Sequence, residues 1–271
     1  MCAMSTGRCE SLAIFFSPND PNECCLCGSS EDLSGEHKIK RSMITEEFGK
    51  AKMVIGSFGD EATKLRSVQG PKSKELHFEA KICKKCNNER TQKADREFDM
   101  LHSIARKILE NGGDPAAAMS DGRYALGSES YLNVFRYFAK LLCCHLAQSG
   151  GPRPLHMAKF AIGEASQNSV WLTIDKDVTY EALKSSWEGE LQYAAHGGLV
   201  VYGDKSSGSA NGFHSTLTVG PVRYIFFTRL NWLEKLSLRF AHPKFNEWCK
   251  EKVKTALESP ISDQERDRLG L

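Results

Sequence analysis

Four cysteines stand in two pairs of equal spacing: Cys24-Cys25-Leu26-Cys27, followed by Gly28, and Cys83-Lys84-Lys85-Cys86. Two such pairs can close a tetrahedron of thiolates around Zn²⁺, and Gly28 permits the tight turn that aims backbone N–H groups at sulfur. Cys24, Cys27, Cys83 and Cys86 are therefore the expected ligands of a structural zinc. Cys25 is left over, because Cys25-Leu26-Cys27 offers too short a bite. A redox pair or a set of buried thiols would explain one Cys-x-x-Cys but not a second. A zinc closed by four protein ligands has no position open to substrate, so any chemistry must come from other side chains.

Two neighbouring segments offer such side chains. Ser34-Gly35-Glu36-His37-Lys38-Ile39 lies between the pairs, and Asn87-Asn88-Glu89-Arg90 follows the second. An acid beside an imidazole can divide hydrolysis of a phosphodiester, the carboxylate holding a divalent cation and the neutral His taking a proton from water. An isolated Glu-His pair is most often an exposed turn, and Asn87 could equally cap a helix. It is their position around the two cysteine pairs that gives them weight.

The order Cys-x-x-Cys, Glu-His, Cys-x-x-Cys-Asn-x-x-Arg resembles the HNH endonuclease family, most closely its bacterial subgroup with Glu-His and Cys-Lys-Lys-Cys-Asn-Asn. The resemblance implies a treble-clef ββα-metal finger, two strands and a helix around a catalytic Mg²⁺ or Mn²⁺, with zinc bracing the outside. It gives His37 the part of general base, Glu36 and Asn87 those of ligands to the catalytic cation, and Arg90 a phosphate contact. Asp95 falls where the subgroup often carries an acid. Two departures are visible. The family's middle Asn is absent from Leu76–Ile82, where His77 is the nearest polar residue, and His37 lies farther from Cys83 than in compact members.

Charge is distributed in keeping with a nucleic-acid partner. The net charge is only +2, yet between Glu36 and Lys107 seventeen Lys and Arg face eleven Asp and Glu. Lys38, Lys40, Arg41, Lys81, Lys84, Lys85, Arg90, Lys93 and Arg96 surround the motif and could neutralise phosphates. The resemblance points to DNA, and a homodimer would supply one centre for each strand. A zinc module that binds nucleic acid without cutting it fits the same residues, as does a structural finger beside an independent activity in the second half.

The elements that must position these residues follow from punctuation and periodicity. At 271 residues two domains are expected. These are a lead-in over 1–23, the finger over 24–110, a break at Asn111–Pro115, and a mixed α/β domain over 115–271. The fold class is accordingly α+β. Gly49–Lys74, with Gly56, Gly59, Gly70 and Pro71 among five lysines and an arginine, reads as a loop that settles on substrate or an inert insertion.

Apolar residues from Tyr131 to Leu146 at spacings of three and four predict a helix over 129–147 buried on one face. Val170–Ile174, Leu199–Tyr202 and Thr216–Thr228 read as strands, the last divided at Gly220-Pro221, and Pro243–Leu257 as a final amphipathic helix before a charged tail. Cys143, Cys144 and His145 fall on the apolar helix and read as buried, while His196 and His214 form no nucleophile-base set. This second half could be a packing platform, a recognition domain or a sensor. No segment is apolar enough to span a bilayer, and ten cysteines without an export signal suggest reduced thiols in a cytoplasm.

Overall fold

The computed structural model describes residues 14–49, 53–55, 66–68, 70, 73–186 and 191–256. Most of the glycine-rich segment expected as a loop, including Gly56, Gly59 and Pro71, lies outside these residues, as do 1–13 of the lead-in and the charged tail beyond 256. Helices and sheets are both well represented, and the chain is α+β. Among the described residues no helix is long and apolar enough to cross a membrane.

The finger is built on a two-stranded antiparallel ribbon of β2 (Leu33–His37) and β5 (His77–Cys83). The short strand β1 (Phe16–Ser17) precedes it, and α1 (Arg41–Phe48) and the hairpin of β3 (Met53–Ile55) and β4 (Arg66–Val68) come between its two strands. After β5 one wide π-helical turn, Cys86–Arg90, leads into the 19-residue α2 (Gln92–Glu110). Knuckle, first strand, second strand, knuckle and helix thus follow one another along the chain. α2 is amphipathic: Ala94, Phe98, Leu101 and Ala105 recur on one face and are buried.

Two short 3-10 turns, Pro115–Ser120 and Gly122–Tyr124, lead to α3 (Glu129–Gln148), whose N-terminus is capped by Ser128 Oγ accepting from the Tyr131 N–H at 3.0 Å. β6 (Arg153–Pro154) pairs with β1, and α4 (Leu155–Ala161) packs on α3. A five-stranded antiparallel sheet completes the fold. Its strands are β7 (Val170–Lys176), β8 (Ala194–His196), β9 (Val200–Asp204), β10 (Ser209–Val219) and β11 (Val222–Arg229), in the order β7-β11-β10-β8 with β9 also on β10. α5 (Val178–Ser186) follows β7, and α6 (Trp232–Ala241) and α7 (Pro243–Thr255) close the described chain. The expected division of Thr216–Thr228 occurs at Gly220-Pro221, where Gly220 takes φ +55° between β10 and β11.

One expectation needs correction. α3 is buried on every side from Asn133 to Leu146 rather than on one face. β5 packs on one flank of it, and α2 and the sheet on others. Phe98 of α2 stacks on Tyr137 of α3 at 4.0 Å and meets Tyr224 of β11 edge-on at 5.1 Å. Side chains from ribbon, helices and sheet form one contiguous buried cluster, in which each large apolar residue contributes about 1.5–3 kcal/mol. Because α3 is enclosed, its polar side chains must find partners inside. Arg136 donates to Glu129 and Asn133, both at 2.9 Å, and His145 Nε2 pairs with Ser215 Oγ at 2.9 Å.

Candidate functional site

The fold gathers Cys24, Cys27, Cys83 and Cys86, with their sulfurs all within 4.8 Å of one another. Tetrahedral zinc at the usual Zn–S length would separate its sulfurs by about 3.8 Å, and Cys27 Sγ and Cys83 Sγ stand 3.6 Å apart. The donor set fits zinc. Each knuckle turns a backbone N–H onto its first sulfur, Cys27 N to Cys24 Sγ at 3.5 Å and Cys86 N to Cys83 Sγ at 3.4 Å. Gly28 closes the first knuckle at φ +78°, with its N–H on Cys24 O at 2.8 Å. A Cβ there would also lie 2.6 Å from the Arg153 guanidinium, which donates to Cys24 O at 3.1 Å. The hydrogen bond from Cys86 lowers the Cys24 pKa to about 4 against the opposing effect of burial, and the same contact raises that of Cys86.

Cys25 stays outside this set, as expected. Its thiol is buried 3.8 Å from Cys144 Sγ, and burial with that contact holds its pKa well above the usual value. Cys143 and Cys144 are buried on α3.

The Glu-His pair sits at the far end of the ribbon. Between Gly35↔Lys81 and His37↔His77 the register shifts, so that Glu36 alone opposes three residues of β5. Glu36 is turned inward and buried, while His37 is half-buried with its ring 3.9 Å from that of His77. His77 Nδ1 lies 2.9 Å from Ser73 O, a contact that favours the tautomer with a proton on Nδ1 and a free lone pair on Nε2.

The inward turn brings Glu36 to a residue that the sequence reasoning missed. Lys140 Nζ of α3 lies 2.7 Å from Glu36 Oε1 and 2.6 Å from Asp95 Oδ1 of α2, with its side chain only 1% exposed. Burial opposes the charged ammonium, but Asp95 and Glu36 outweigh it and hold Lys140 protonated, above the ordinary lysine range. Burial raises the pKa of Glu36, and Lys140 opposes that rise. Lys40 Nζ donates to Asp95 O at 2.7 Å and pairs with Asp99. The missed signal was a lysine in the middle of the apolar stretch Tyr137–Cys144, since lysine is almost never fully buried without a partner.

The remaining expected residues are dispersed. Asn87 Nδ2 donates to Ser34 Oγ at 3.3 Å, fastening the start of the helical segment to β2. Arg90 is engaged with Glu164 at 3.2 Å and with Cys86 Sγ at 3.9 Å, beside a surface cavity of about 590 Å³ also lined by Cys27, Cys83 and Lys85. Lys84, Lys85 and Arg41 are exposed, Lys84 lying 3.4 Å from Asp32, and Lys38 is half-buried.

The cation-ligand set given by the resemblance does not match this geometry, because the Glu36 carboxylate is committed to Lys140. Among the described residues the four cysteines form the one group of three or more Cys, His, Asp and Glu side chains placed to share a metal. No family model, no curated protein and no solved structure matches the chain.

Proposed function

We propose that this chain is a zinc-braced phosphodiesterase of the HNH kind, acting on nucleic acid, with His37 as the general base. The observation that carries the proposal is the placement of His37 and His77 at one end of a ribbon whose other end enters the four-cysteine cluster. Zinc, when bound, supplies rigidity by joining the segment before β2 to the turn before α2. A ribbon so anchored can present an imidazole to water at a fixed position, where a neutral His takes a proton from the nucleophile. Lys38, next to His37, Arg41 at the start of α1, and Lys81, exposed on β5, are suited to offset phosphate charge. No step is assigned to Mg²⁺ or Mn²⁺, because Lys140 engages the carboxylate that would have to hold it.

A second reading is favoured by that same ion pair. If Glu36 serves only to join β2 to α3, the finger is a nucleic-acid-binding module without hydrolytic activity. Cleavage of plasmid DNA and of a structured RNA by the zinc-loaded protein, with His37→Ala beside it, separates the two. The hydrolase reading expects cutting that falls at least a hundredfold in the variant while zinc content is unchanged. Salt-sensitive binding without cutting, equal in both proteins, would replace it with the binding module.

A further inference from the structure

Lys140 carries the second consequence of the fold. An ammonium has been taken out of water, and burial of that kind is tolerated only with close compensation. Here the compensation is complete on three sides. Glu36 Oε1 of β2 and Asp95 Oδ1 of α2 lie at 2.7 and 2.6 Å, and the Tyr137 ring presents its face with its centroid at 5.2 Å. The lysine therefore joins three elements, with one carboxylate from the ribbon and one from the helix that follows the second knuckle. The resemblance puts a divalent cation on Glu36 and Asn87; Lys140 takes the Glu36 end of that pair and holds Asp95 in place of Asn87.

The two cations cannot be accommodated together. A magnesium or manganese ion on Glu36 Oε1 would stand about 2.1 Å from that oxygen, close beside the ammonium and repelled by it. To admit the metal, Lys140 would have to leave, yet its arm rises from the enclosed middle of α3 and is surrounded by Tyr137 and the acids themselves.

We infer that Lys140 is a resident internal cation that takes the place of the catalytic divalent ion, so that the ribbon and helix are held together without Mg²⁺ or Mn²⁺. Lys140 is a positioning residue. It fixes Glu36, and through the strand His37, without touching substrate. The inference rests on the proposed function only for the correspondence of the two places; the ion-pair geometry stands apart from it.

The test is Mn²⁺ binding to the zinc-loaded full chain, followed by electron paramagnetic resonance, with Glu36→Gln as the control. The expected result is no site that depends on Glu36 at millimolar Mn²⁺: either nothing binds, or what binds is equal in both proteins. One Mn²⁺ per chain in the wild type, lost in Glu36→Gln, would overturn the inference. Thermal unfolding of Lys140→Met supplies a second readout. One buried and one half-buried carboxylate left without their cation should lower Tm on the order of 10 °C, and an unchanged Tm would also overturn it. Absence of cutting would defeat the hydrolase and leave this inference standing, whereas Glu36-dependent Mn²⁺ binding would do the reverse.

Discussion

The ribbon of the finger is tied at both ends, and the two ties use different chemistry. At the knuckle end four sulfurs converge within 4.8 Å, a set that becomes coherent when a metal replaces the thiol protons. At the histidine end Lys140 brings its own charge to Glu36 and Asp95, and the junction is satisfied by the chain alone. A metal-dependent junction responds to chelation, oxidation and pH, whereas an internal ammonium responds to neither chelation nor oxidation, and to acid only through protonation of its carboxylate partners. The difference locates the sensitivity of the protein at its cysteines and the constancy of its candidate site at Lys140.

The cysteine end of the ribbon is the more vulnerable of the two. Cys83→Ser should abolish zinc retention. Because structural zinc in small fingers contributes on the order of 10 kcal/mol, the variant's β2–β5 amides should exchange far faster than those of β10 and β11. Equal protection in both regions would mean that the finger does not depend on its metal. Removing zinc from the wild type should produce the same pattern, with the Lys140 end the last of the ribbon to open.

Acid should sharpen the contrast within the core. Burial lowers the pKa of His102 to about 4 and that of His196 to about 3, below the ordinary unfolded value of about 6.5. Between these limits the unfolded chain binds the more protons. Stability is therefore fully present above about pH 6.5 and is lost as pH falls toward the folded values. Each group should remove about 1.4 kcal/mol between pH 7.5 and 5.5, measurable by urea unfolding. A His102→Gln variant, keeping a partner for Tyr224 Oη, which lies 2.9 Å from His102 Nδ1, should show a shallower slope. A slope as steep as that of the wild type would contradict the assignment.

The mildest change concerns the first knuckle. Gly28→Ala puts a Cβ at φ +78° and against the Arg153 guanidinium, which should cost about 1–2 kcal/mol. The guanidinium is the end of a flexible side chain and can withdraw, so zinc stoichiometry should stay at that of the wild type. Loss of zinc in this variant would show that Arg153 is part of the metal site's support rather than a neighbour of it.

Much of this architecture could be read from residue spacing. The cysteine pairs identified the ligand cluster because two Cys-x-x-Cys units have few other uses, and the periodicity of Tyr131–Leu146 located α3 to within a residue or two. The amphipathic run of Ala94, Phe98, Leu101 and Ala105 in α2 was equally available, as was Asn231 with Glu234, which form a reciprocal capping box at the start of α6. What spacing could not give was enclosure. The one-faced pattern of α3 contains no sign that the ribbon would cover its other side, since that contact joins residues some sixty apart in sequence. Glu36 was misleading for the same reason. Its adjacency to His37 suggested a shared task, whereas consecutive residues of a strand point to opposite faces, leaving Glu36 buried on Lys140 and His37 half-buried beside His77.

The four-sulfur brace underlies every other feature of the finger, and X-ray absorption at the zinc edge tests it most directly. One zinc per chain surrounded by four sulfurs at about 2.3 Å is the expected result. A zinc with nitrogen or oxygen in its first shell, or a folded chain that retains none, would contradict the account.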